Sequence, residues 1–163
     1  MLLPAGEIHA EVKRGNRVER VGWDNASEGD AGITMEYDFD PARAERLGET
    51  ILDCAGRSVL LVSELGRAVV GEVLTLLSIG QDQAETVAVA NRTFGGTIKA
   101  AGLLTVDDYL EAYRAWARSG RNVTSGAAQI IIPLESFDTR GLDLKRRHFS
   151  ELQEHSGLPV LLR

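Results

Sequence analysis

The sequence has 163 residues, of which 44% are hydrophobic and 26% charged, a composition that excludes wholesale disorder and fibrous architectures. That length suits one domain, able to remove roughly 70% of its unfolded surface from water. A net charge of -6, with no basic stripe interleaved with aromatics, excludes nucleic acid as the expected partner.

The opening Met1-Leu2-Leu3-Pro4-Ala5-Gly6 lacks a basic stretch and a long apolar run, and no later run approaches a membrane span. A cytoplasmic protein without membrane contact is therefore expected. From Gly6 to Trp23, Ile8, Ala10 and Val12 alternate with polar residues, Arg14-Gly15-Asn16 offers a turn, and Val18 follows, which predicts a β-hairpin. Asn25 to Asp30 reads as a loop. The hairpin and loop, residues 1–27, are separated from an α/β domain over residues 28–163.

In that domain Ile33 to Tyr37 is a candidate strand, followed by Asp40 as N-cap and Pro41 at the first helical position. The helix runs to about Cys54, with Leu47 and Ile51 at helical spacing and Gly56 as the left-handed residue that ends it. Cys54, the single cysteine, sits at an apolar position near the negative end of the helix dipole, where it is core and not a nucleophile. One cysteine also excludes an internal disulfide, a four-cysteine zinc site and an iron–sulfur cradle, and no cofactor is expected.

Ser58 to Val62 reads as a strand covered on both faces, and Leu65, Val69, Val73, Leu76 and Leu77 form the stripe of a second helix. Thr86 to Ala90 is the next strand. After Phe94-Gly95-Gly96, Thr105 caps a regular helix whose inner face is Val106, Tyr109, Leu110, Tyr113, Trp116 and Ala117; Asp107 and Asp108 complement its dipole, and Gly120 ends it. Gln129 to Ile132 is a strand, Lys145 to His155 a last helix with Lys145-Arg146-Arg147 on its solvated face, and Pro159 to Leu162 a final strand. The alternation predicts a mainly parallel, or mixed, sheet of about five strands with helices on both faces, plus the hairpin.

Three segments are candidates for chemistry. Asn91-Arg92-Thr93-Phe94-Gly95-Gly96-Thr97 follows a strand, where α/β folds present ligand-binding loops. Gly95 and Gly96 let backbone N–H groups approach an anion, Arg92 can neutralise it, and Asn91 and Thr97 offer hydrogen bonds. The plain alternative is a tight turn with Phe94 packed inward. The loop from Pro133 to Asp143, with Glu135, Ser136, Asp138 and Asp143, also follows a strand; the loop from Arg121 to Gly126 lies at the opposite edge and reads as structural. His148, Glu151 and His155 share a helical arc resembling a metal-ligand set, but the arc overlaps Leu144 and Leu152 and is read as bordering the core.

The run Asn91-x-x-Phe94-Gly95-x-x-Ile98, continuing through Gly102-Leu103-Leu104-Thr105 to Asp108, resembles the signature of the domain of unknown function 512 family. Glu28 to Met35 corresponds to that family's glycine-rich opening strand, and Ile130 to Pro133, Leu142-Asp143 and Gly157 to Val160 to its closing elements. The family is typically the C-terminal part of bacterial proteins that also carry a PDZ-like segment and a radical S-adenosylmethionine barrel, labelled iron–sulfur oxidoreductases. The resemblance implies a stand-alone relative of that part, and its partner would be a separate radical-SAM protein.

The leading expectation is a non-catalytic module that binds a small, anionic ligand or a protein partner through Asn91, Arg92, Phe94, Gly95, Gly96, Thr97 and Thr105, with a homo-oligomer among the options. The alternative is a small enzyme of transferase or hydrolase type that works the 135–143 loop against the 91–97 turn.

Overall fold

Two hydrophobic periodicities, two residues in some segments and near 3.6 in others, sort this chain into strands and helices. The computed structural model describes residues 7–14, 17–24, 40–97, 99–120 and 126–163. The chain divides into two units, Met1–Leu47 and Gly48–Arg163. In the first, β1 (Glu7–Arg14) and β2 (Arg17–Asp24) pair antiparallel from Glu7↔Asp24 to Arg14↔Arg17, as the alternation predicts. Helix α1 (Pro41–Leu52) begins as expected, with the Ala42 N–H donating to the Asp40 carboxylate at 3.0 Å. The Asn25 to Asp30 loop and the candidate strand Ile33 to Tyr37 lie outside the described residues, so four of the five expected strands are seen.

The second unit holds β3 (Arg57–Ser63), α2 (Glu64–Leu76), β4 (Ala84–Val89), α3 (Val106–Arg118), β5 (Ala127–Ile132), α4 (Ser150–Ser156) and β6 (Val160–Leu162). The sheet order is β4-β3-β5-β6 and every pairing is parallel. Because β3 lies between β4 and β5, the first crossover leaves in one direction and the next two in the other. Right-handed crossovers then put α2 on one face and α3 and α4 on the opposite face. Val59, Leu61, Ile130 and Ile132 pack with Val106, Tyr109, Leu110, Tyr113, Trp116 and Leu152 in one buried cluster, which contains the inner face read from the sequence except Ala117, a partly buried residue packed against it. On the α2 face, the buried Gln129 amide donates to the Ser58 hydroxyl at 2.8 Å and to the Thr50 carbonyl of the last turn of α1 at 3.0 Å.

Two expectations are corrected. Gly56 is not a left-handed helix end: α1 stops at Leu52, and Gly56 is absent from the positive-φ glycines, which among the described residues are Gly95, Gly120, Gly126, Gly141 and Gly157. Its smallness is what counts, since a Cβ there would lie 2.7 Å from the Ala128 Cβ and 2.9 Å from the Gly126 carbonyl oxygen, where β3 and β5 begin side by side. The last helix is also shorter than its apolar spacing predicts. Lys145, Arg146 and Arg147 form a turn, because the Asp143 carboxylate accepts the N–H groups of Lys145 (2.8 Å) and Arg147 (2.9 Å), Arg146 takes a φ of 65°, and Leu142 bridges to His148. A local side-chain acceptor has outcompeted the helical ladder.

Gly56→Ala should cost about 1–3 kcal/mol through overpacking against backbone. Urea unfolding measures this, and a cost within ~0.5 kcal/mol would mean that β3 and β5 separate freely at that end.

Candidate functional site

Strand polarity places the segments after β3, β4 and β5 at one edge of the sheet. The strand order makes the carboxyl ends of β3 and β5 the point where the winding reverses, the usual crevice of such sheets. Here the chain's own segment spans it. The Leu65 N–H at the start of α2 donates to the Lys99 carbonyl at 3.4 Å, Lys99 pairs with Glu64 at 3.3 Å, and the Ser136 hydroxyl donates to the Ala101 carbonyl at 2.7 Å. Since Ser136 donates there, the Tyr109 phenol, 2.6 Å from its oxygen, is the donor between them. Burial pushes the Tyr109 phenol up.

The base of the 91–97 turn is held by one carboxylate. Asp108 is 3% exposed; its Oδ1 accepts the N–H of Arg92 (3.0 Å) and of Thr93 (3.1 Å), and its Oδ2 the N–H (2.9 Å) and hydroxyl (3.0 Å) of Thr105. Asn91 closes the other side, donating to the Leu103 carbonyl at 2.7 Å and accepting from the Phe94 N–H at 2.9 Å. A second buried carboxylate, Asp143, accepts the Val106 N–H at 2.7 Å, so a carboxylate of the 133–147 loop sits on the amino end of α3. The anion that this helix end attracts is supplied from within the chain.

The seven residues expected to bind a ligand thus divide. Asn91 and Thr105 are buried and their polar groups are spent on the turn itself. Arg92 is ion-paired with Glu111 at 2.7 Å. Phe94 is 47% exposed, against the plain expectation that it packs inward, and Gly95, at a φ of 101°, and Gly96 would have nothing within 4 Å of an added Cβ. Thr97 is exposed beside them. Leu103 and Leu134 are exposed apolar residues on segments of the same edge.

Comparisons with family models, with curated proteins and with solved structures return no match to this chain.

The 135–143 segment contacts residues 101–102, which follow the 91–97 turn: Ser136 bonds Ala101, and an added Cβ on Gly102 would lie 3.7 Å from the Glu135 carbonyl oxygen. Its carboxylates are committed elsewhere. The backbone N–H of Leu142, followed by the guanidinium of Arg140, holds the exposed Asp138 carboxyl at about 2, and Asp143 is enclosed by three backbone N–H groups. Residues 121–125 of the Arg121 to Gly126 loop lie outside the described residues.

The His148, Glu151 and His155 arc does not form. His148 precedes α4 and bonds the Ser150 hydroxyl at 2.9 Å, Glu151 is held low by the Arg147 guanidinium, and His155 Nδ1 lies 2.8 Å from the Glu151 carbonyl. Arg147 also pairs with Asp107, whose carboxyl is lowered first by Lys145. Among the described residues no group of three His, Cys, Asp or Glu is placed to hold a metal ion, and no helix is long and apolar enough to cross a membrane.

What sequence reading missed is Asp108 and Asp143 as structural anchors. For Asp108 the signal was present: an acid three residues after Thr105 has capping-box spacing, which the structure completes. Nothing in the spacing marks Asp143, which reaches Val106 across 37 positions.

Asp108→Asn puts an amide donor against the N–H groups that the carboxylate accepts. A loss of about 3 kcal/mol in urea unfolding is expected, and a cost under ~1 kcal/mol would show that the turn does not depend on that charge.

Proposed function

We propose that this chain is a non-catalytic binding module which docks on a partner protein through the carboxyl edge of its parallel sheet, with Phe94 as the central contact. The observation that carries this reading is the exposure of Phe94 at the tip of a turn whose base is fixed by buried Asp108 and Asn91. An aromatic ring held out on a rigid support loses little conformational entropy on binding, and aromatic anchors dominate protein interfaces. Exposed Leu103 and Leu134 on the same edge extend the apolar contact.

The same hydrogen bonds weigh against a small anion as the principal ligand. Arg92 already has Glu111, the amino end of α3 already has Asp143, and Asn91 and Thr105 are occupied. The N–H groups of the Gly95 to Thr97 tip are left to contribute hydrogen bonds to a partner backbone. The commitment of Asp138 and Asp143 likewise argues against an acid–base enzyme built on the 135–143 segment.

The partner class follows from the resemblance of the Asn91 to Asp108 run to the domain of unknown function 512 family, whose members are joined to a radical-SAM barrel. A separately encoded radical-SAM protein is the partner this reading favours. A fixed cytoplasmic address accords with the single cysteine.

Phe94→Asp should leave the unfolding midpoint nearly unchanged and weaken binding to a radical-SAM protein of the same cell by more than about tenfold in calorimetry. Equal binding by the variant would overturn the assignment of Phe94. A thermal shift with inorganic phosphate that disappears in Arg92→Ala would replace the protein partner with an anionic ligand.

A further inference from the structure

Away from the carboxyl edge, β4 forms one border of the sheet, and among the described residues β3 is its sole neighbour. A parallel ladder uses the N–H and C=O of alternate residues toward a given neighbour. The Ser58 N–H donates to the Gln83 carbonyl at 2.8 Å, which sets the phase: Glu85 and Val87 point their backbone groups at β3, and Thr86 and Ala88 point theirs outward. The four central residues of β4 are only partly buried.

Natural sheets guard such borders with proline, lysine, a bulge or a very short strand. The six residues Ala84–Val89 contain neither proline nor lysine, their one charged side chain, Glu85, is held by the Arg57 guanidinium and the Trp116 indole, their register with β3 runs without a shift, and β-branched Thr86, Val87 and Val89 favour extension. A groove of about 630 Å³ lies beside the border, walled by Arg67, Gly71 and Thr75 of α2, floored by Glu85 and Thr86 and reaching Arg57. Gly71 keeps the wall low, since an added Cβ would meet nothing within 4 Å. An unguarded strand edge beside a helix wall is the arrangement into which an extended peptide inserts as an extra strand.

Charge selects among such peptides. Arg67 is exposed on the groove and makes no ion pair among the described residues, and the buried Arg57 Nε has no hydrogen-bond partner although its guanidinium reaches Glu85 at 3.1 Å. We propose that the outer edge of β4 is a second, independent docking site, which takes an extended peptide segment of another protein that carries a carboxylate toward the Arg67 wall. Main-chain bonds from Thr86 and Ala88 supply affinity, the low Gly71 wall admits the side chains that face α2, and the arginine supplies the preference for acid.

The test uses the full chain and short peptides of alternating valine and threonine that carry one glutamate, one lysine or neither. Amide exchange at Thr86 and Ala88 and a binding titration are read together. Protection of those two amides on peptide addition is expected, with the glutamate peptide bound about tenfold more tightly than the lysine peptide. Arg67→Glu should reverse that order. Ala88→Pro removes an outward N–H without touching the β3 ladder and should abolish binding while leaving the fold intact.

Amides already protected in the free chain, or peptide binding unaffected by Ala88→Pro in a variant that still folds, would overturn the proposal. Protection that grows with protein concentration alone would assign the edge to a second copy and overturn the peptide assignment.

Discussion

A buried carboxylate surrounded by backbone N–H groups holds an exposed aromatic turn of this molecule in place. Asp108 joins the exit of β4 to the entrance of α3, and Asp143 joins the entrance of α3 to the segment after β5. Each charge is stable in the interior because it is fully coordinated by donors. The result is a loop whose base behaves as part of the core while its tip, Phe94-Gly95-Gly96, stands clear of it.

The strand order explains why the ordinary crevice of a parallel sheet is not the candidate here. Winding reverses at β3, but the residues from Lys99 to Leu104 cross between the start of α2 and the Leu134–Ser136 turn. What remains exposed is the outer side of that crossing, with Phe94, Leu103 and Leu134. Among the described residues the reversal also leaves β4 on a border, so the same topology that spans the crevice opens a second surface along the strand. An aromatic tip on a fixed base and an open strand edge are both features that a binding partner could use, and the proposed reading rests on them.

Most of the α/β architecture was legible because it rests on periodic burial. The stripe Val106, Tyr109, Leu110, Tyr113, Trp116 needed only helical spacing, and Ser58 to Val62 needed only an unbroken apolar run; both elements sit where those patterns put them. The Lys145 to His155 helix failed because its pattern said nothing about Asp143, whose carboxylate was free to capture the N–H groups of Lys145 and Arg147. Gly56 was assigned to backbone conformation when its reason is the approach of Ala128, a contact between residues more than 70 positions apart. Phe94 shows the same limit from the other side: an aromatic beside two glycines reads most plainly as packed inward, and only the bonds from Asn91 and Asp108 fix the direction of the turn. Local pattern reveals elements, and long-range polar contacts decide the site.

The Asp108 clamp makes the turn rigid in solution, and backbone ¹⁵N relaxation across residues 91–97 measures that rigidity. Order parameters for Arg92, Thr93 and Phe94 close to those of α3, about 0.85, are the expected result. Values below ~0.6 would mean that the carboxylate clamp does not hold and that Phe94 is not presented on a fixed support.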